Sequence, residues 1–160
     1  FMIPLGLAIA VGIRMSTELG AGRRDTLLPI WKGAAIMSAV EAALVTLVFL
    51  FLGRRIAAIF IGDPAVVSSA AALLVVAGVF QVFDGSQVVS SSALRGMSDV
   101  KIPAALTFAS YWIVAVPVGY VLGFRAGLGA VGIWWGLALG LAVASVVLGY
   151  RFVRLARAPS

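Results

Sequence analysis

The stretch Ala65–Ala93, AVVSSAAALLVVAGVFQVFDGSQVVSSSA, carries a single charged residue, Asp84. It is longer than the ~20 apolar residues a helix needs to cross the ~30 Å hydrocarbon core of a bilayer. Asp63-Pro64 just before it is a helix start, because an Asp side chain accepts from orphan N–H groups and Pro fits the first turn. Four further runs share this character, at residues 1–19, 28–52, 102–124 and 129–150, so the chain is expected to have five membrane-spanning helices, the third at 65–93. Pro103 lies in the first turn of the fourth, and Pro117 inside it should kink it. Residues 54–62 read as an interfacial segment, with Arg54 and Arg55 at headgroup level. The expected fold class is all-α, a polytopic transmembrane helical bundle.

Composition leads to the same place. The chain is 62% hydrophobic and 11% charged, with a mean hydropathy of +1.14. A soluble domain is about 45–50% apolar and about 25% charged. The difference leaves too little polar surface for water and suits lipid. The net charge is +6, but the basic residues sit in short clusters between apolar runs, and none forms a groove with aromatics for stacking. No nucleic-acid partner is therefore expected. Cys and His are both absent, which excludes disulfides, thiol chemistry, imidazole bases and the usual zinc sites. The chain opens at Phe1 inside an apolar run, with no basic segment before it and no small-residue cleavage site after it. It is expected to be part of a longer chain rather than to begin with a signal peptide.

Five helices put alternate connectors on opposite sides. One side holds Arg23, Arg24, Lys32, Arg95, Lys101, Arg151, Arg154 and Arg157, and the other Arg54, Arg55 and Arg125. The positive-inside rule assigns the first group, and with it the C-terminus, to the cytoplasm. Phe1 then lies toward the outer side.

Of the six acids, Asp25, Asp63 and Asp99 fall in loops, and Glu18 lies four residues after Arg14, at ion-pair spacing along a helix. Asp84 is different. A carboxylate at the centre of a spanning helix costs about 2.5–3.5 kcal/mol on insertion scales, and such residues face a bundle interior or a watery cavity. Gln81, Asp84, Gln87 and Ser91 fall within about 120° of one helix face. Two amides, a carboxylate and a hydroxyl could coordinate a hard cation such as Na⁺ through oxygen. Alternatively, surroundings of low dielectric favour the neutral form of a carboxyl, and Asp84 would carry a proton. The plain reading is that Asp84 only ties helices together. Glu41 is a second intramembrane acid, isolated among Ala39, Val40, Ala42 and Ala43, and is expected to be a second proton site, a partner for a cation elsewhere, or a protonated residue facing lipid. Arg14 reads as a snorkelling side chain. Phe80, Phe83, Tyr111 and Trp112 are candidates for a substrate pathway, although aromatic residues in such helices more often pack or anchor. Gly136 and Gly140 form a G-x-x-x-G pair that permits close helix packing. There is no phosphate-binding loop, since Gly20-Ala21-Gly22-Arg23 follows a helix and lacks the Lys-Ser/Thr pair.

Four segments together resemble the C-terminal half of the multidrug and toxic compound extrusion (MATE) family, in its NorM-like branch. They are Pro4–Gly22, which contains IRMSTELGAG, FQVFDGSQVVSSSALRGMSD at Phe80–Asp99, SYWIVAVPVGYVLGF at Ser110–Phe124 and GLGAVGIWWGLALG at Gly127–Gly140. The resemblance implies a cation-coupled antiporter of the cytoplasmic membrane, driven by Na⁺ or H⁺ and exporting drugs and toxic amphipathic or cationic compounds. It implies twelve helices in two lobes, of which this chain would supply helices eight to twelve, most of the C-terminal lobe. The N-terminal lobe of the same parent chain and the membrane lipid would be its partners, with no cofactor beyond the coupling ion. Asp84 matches the acidic residue of helix ten implicated in coupling, and Arg95-Gly96 matches a cytoplasmic turn. Ser16 and Ser98 stand where the family pattern usually has Gly, and Glu41 matches no family position. A lipid-linked saccharide flippase of the same superfamily would be expected to place more basic residues in its cavity. A scaffold subunit would leave the polar stripe without purpose, and an enzyme would need more catalytic groups than one acid.

Overall fold

Apolar side chains on every face and helix-compatible lengths produce long helices joined by tight turns. In the computed structural model, which describes residues 2–60 and 62–158, they are α1 (Met2–Gly20), α2 (Leu27–Phe60), α3 (Pro64–Gly96), α4 (Lys101–Arg125) and α5 (Gly129–Ala156). All five are long and apolar enough to cross a membrane, so the all-α, five-helix expectation is borne out. Phe1, expected to open the first span, lies outside the described residues, as does Ile61. The segment expected at the interface is not a separate element: Arg54–Phe60 continues α2, because nothing there breaks a helix and Gly53 and Ala57 are buried against the bundle. Asp63 caps α3 as expected, its Oδ1 accepting from the Ala65 N–H at 2.8 Å with Pro64 in the first turn.

α3 is the centre of the bundle. It packs on α1, α2 and α5, while α4 packs mainly on α5. Lipid is as apolar as these side chains, so close packing rather than water release holds such helices together. Small residues therefore sit at the crossings. A Cβ on Gly96 of α3 would run into the Gly12 carbonyl of α1, and one on Gly136 of α5 into the Gly119 backbone of α4. The G-x-x-x-G pair thus joins α4 to α5, with Gly140 against Ala115. The core includes Met15, Leu27, Leu94, Leu148 and Phe152. Trp31 stacks on Phe152 with ring centroids 5.3 Å apart, and its Nε1 donates to Ser90 Oγ at 3.1 Å.

Pro117, expected to kink α4, lies within a helix that continues through it. With no N–H at Pro117, the chain forms π-helical stretches on either side, Ser110–Ala115 and Val121–Arg125.

Two helix ends are closed alike. Arg23 N donates to Glu18 O at 2.9 Å and Gly22 N to Leu19 O at 3.1 Å, with Gly22 at φ 74°. Asp99 N donates to Leu94 O at 2.9 Å and Ser98 N to Arg95 O at 2.9 Å, with Ser98 at φ 63°. Both are Schellman caps, which favour Gly at the left-handed position. Serine at 98 is therefore a backbone matter rather than one of packing space. Ser98→Gly is expected to stabilise the protein by about 0.5–1 kcal/mol. A raised thermal midpoint in detergent would bear this out, and an unchanged or lowered one would count against it.

Candidate cation-coupling site

Asp84 sits twelve positions before the end of α3, about 18 Å at 1.5 Å per residue, which is deep in the span. Gly85, Val89, Ser90, Ala93 and Leu94 are buried against neighbouring helices, whereas Gln81, Asp84, Gln87 and Ser91 are only half-buried. The helical period predicted one polar stripe, and it lies on the side of α3 away from the buried Gly85, Val89, Ser90, Ala93 and Leu94. Among the described residues the ion pairs are made by Glu18 and Asp99, and Asp84 has none.

Tyr111 is the aromatic residue brought toward this carboxylate. It lies in the first π-helical stretch of α4, half-buried and within electrostatic reach of Asp84. Thr107, one turn earlier on α4, shares a groove of about 410 Å³ with Gln87 and Ser91 of α3. Sequence reasoning missed Thr107. The available signal was its spacing of four from Tyr111.

The other aromatic candidates are placed differently. Phe80 packs edge-on against Trp134 of α5, with centroids 6.0 Å apart, which ties α3 to α5. Trp112 is 60% exposed and lies against Phe108 at 5.9 Å. Phe83 is half-buried.

Glu41 lies at nearly the depth of Asp84, since Ser38 of α2 meets Gly85 and Thr46 of α2 meets Gly78. Its Oε2 and the Ser38 Oγ are buried without hydrogen-bond partners among the described residues. Glu41 borders an apolar recess of about 500 Å³ between α1 and α2, lined in part by Ile3, Met37 and Leu44. It is not drawn into the Asp84 stripe.

The basic connectors meet at one end of the bundle. Arg151 Nε donates to Asp99 Oδ2 at 2.6 Å, and Arg24 Nη1 to the Ala158 carbonyl at 3.5 Å. Glu18 is buried and accepts from Arg23 Nε at 2.6 Å and Thr26 Oγ1 at 3.3 Å. The hydrogen bond it donates to Glu18 raises the affinity of the Arg23 guanidinium for its proton. Arg14, the partner expected from helical spacing, is 3.9 Å from Glu18 with a side chain 67% exposed. A turn that folds back is invisible to a spacing rule, which is why Arg23 was missed.

These features define a multi-pass helical membrane protein whose central helix carries, on a half-covered polar stripe, a carboxylate with no ion-pair partner among the described residues. Residues 1–121 match the MatE family model, and the chain belongs to that family. It is 41% identical over 160 residues to the "Multidrug resistance protein NorM" of Burkholderia vietnamiensis, covering 95% of this chain and 34% of that protein. It is 39% identical over 162 residues to the "Multidrug resistance protein PmpM" of Pseudomonas aeruginosa, covering 98% and 34%. Among solved structures it superposes on the eukaryotic MATE transporter AtDTX14 with a TM-score of 0.82 and 26% identity, over 97% of this chain and 36% of that one. The chain therefore spans about a third of the length of the relatives it matches.

Proposed function

We propose that this chain forms most of the C-terminal lobe of a multidrug efflux antiporter of the cytoplasmic membrane, with its C-terminus in the cytoplasm. Na⁺ or H⁺ entering through Asp84 drives export of amphipathic, often cationic, compounds. The carrying observation is the Asp84 carboxylate, deep in the span of α3 and without an ion-pair partner among the described residues. An isolated acid at that depth is costly, and it is most readily explained by a cation or proton that comes and goes. The family membership and the names of the relatives support the same reading.

The donor set suits either ion. Asp84, Gln81 and Gln87 offer oxygen on one face. The remaining ligands of a Na⁺ site would come from water or the rest of the parent chain. Binding moves two lobes only if the ion prefers one arrangement over the other, and the lobes then rock largely as rigid bodies.

The test is dye export from vesicles containing the full-length parent under separate Na⁺ and proton gradients. Export under one gradient names the ion. Export under neither, from correctly inserted protein, would overturn the antiporter reading.

A further inference from the structure

The polar stripe of α3 does not stop at Asp84. It continues through Gln87 and Ser91 to Arg95, which falls on the same side of the helix eleven residues on. Arg95 is turned back along this line, with Nε 3.4 Å from the Ser91 carbonyl and Nη2 3.4 Å from the Ser91 hydroxyl. α4 presents Thr107 to the same groove. α5 packs on both helices and sits between them, and the groove left between α3 and α4 has a volume of about 410 Å³. At ~30 Å³ per water that is room for about a dozen waters, with the Gln87 amide, the Ser91 and Thr107 hydroxyls and the Arg95 guanidinium to bind them beside an apolar wall of Val100, Pro103, Ala104 and Phe108. The eleven residues from Arg95 to Asp84 rise about 16 Å, half the thickness of the hydrocarbon core. The groove's lining runs from Arg95 to Gln87, about 12 Å of that rise, and ends within one helical turn of Asp84.

We propose that the groove between α3 and α4, walled by Gln87, Ser91 and Thr107, is the part of an aqueous path to Asp84 that opens at the Arg-rich end, and that Arg95 is its electrostatic gate. This rests on the reading of Asp84 as the coupling residue. A guanidinium at the mouth lowers the local concentration of cations and slows their passage in both directions relative to anions. It also marks the path as selective by charge, which an arginine merely reaching for headgroups would not do.

The chain contains no cysteine, so single cysteines placed in it report cleanly in a full-length parent freed of any others. Ser91→Cys and Thr107→Cys would be exposed in membranes to impermeant methanethiosulfonate reagents, one cationic and one anionic, from the Arg95 side. Val146→Cys is the control. Val146 lies at about the depth of Gln87, since Gly149 of α5 meets Ser90, and it is 68% exposed on the outside of α5. Both groove cysteines should react at least about tenfold faster than Val146→Cys. Adding Arg95→Gln should raise the ratio of cationic to anionic labelling several-fold, whereas Arg95→Lys should leave it near its starting value. Groove cysteines that react no faster than the control would overturn the path. An unchanged ratio in Arg95→Gln would overturn the gate. Labelling needs neither a gradient nor export, so its failure is distinguishable from failure of the Asp84 reading.

Discussion

Asp84→Asn in the full-length parent is expected to reduce gradient-driven export at least about tenfold while leaving insertion and yield unchanged. The substitution keeps the size of the side chain and removes its charge. Tenfold corresponds to ~1.4 kcal/mol of lost discrimination between ion-bound and ion-free states. That is modest beside the ~2.5–3.5 kcal/mol cost of placing the acid in the span. Removing this cost should, if anything, ease insertion, so a loss of export could not be blamed on poor folding. No ion pair among the described residues depends on Asp84, and the variant therefore breaks none within this lobe. The measurement is initial-rate dye export at matched protein density under each gradient. Export at the wild-type rate would make Asp84 a structural residue and turn attention to Glu41, whose Oε2 is buried without a partner among the described residues.

The second large effect is on stability. Gly136→Ala should destabilise the protein by about 1–3 kcal/mol, and Gly136→Leu by more. The first added carbon is already the problem: a Cβ at Gly136 would collide with the Gly119 backbone and approach the Ala115 carbonyl at 2.9 Å. Backbone cannot rotate aside as a side chain can, so α4 and α5 must separate along the crossing that holds them together. Gly33→Ala is the matched control, because its Cβ meets nothing within 4 Å. Alanine gains up to ~1 kcal/mol in helix propensity over glycine, so Gly33→Ala should be neutral or mildly stabilising. The readout is the fraction remaining monodisperse in detergent after a heating series. Equal behaviour of the two variants would mean that the α4–α5 crossing does not govern stability.

Hydropathy alone was enough to count the spans, since a backbone in lipid must satisfy its hydrogen bonds within the segment and an apolar run of this length has little choice but helix. The Asp63-Pro64 start was legible for the same local reason: cap chemistry involves neighbours in sequence. The helical period also placed Gln81, Asp84, Gln87 and Ser91 on one face. Family membership was readable in FQVFDGSQVVSSSALRGMSD and its companion segments before any fold was known.

Contacts between helices were not legible, because they join residues far apart in sequence. That Phe80 would pack on Trp134, and that Thr107 of α4 would share a groove with Gln87 and Ser91, depended on how α4 and α5 cross α3. The same holds for Asp99 and Arg151, neither of which stands out in its own segment, yet which form a 2.6 Å ion pair between the α3–α4 turn and α5. Ser98 could be seen to replace a glycine, but only the backbone angle showed why that matters. Local chemistry and the demands of lipid determined which segments are helices and where the acid sits along its span. Tertiary packing decided which side of that acid stays uncovered, because covering a helix face requires partners that its own sequence does not contain.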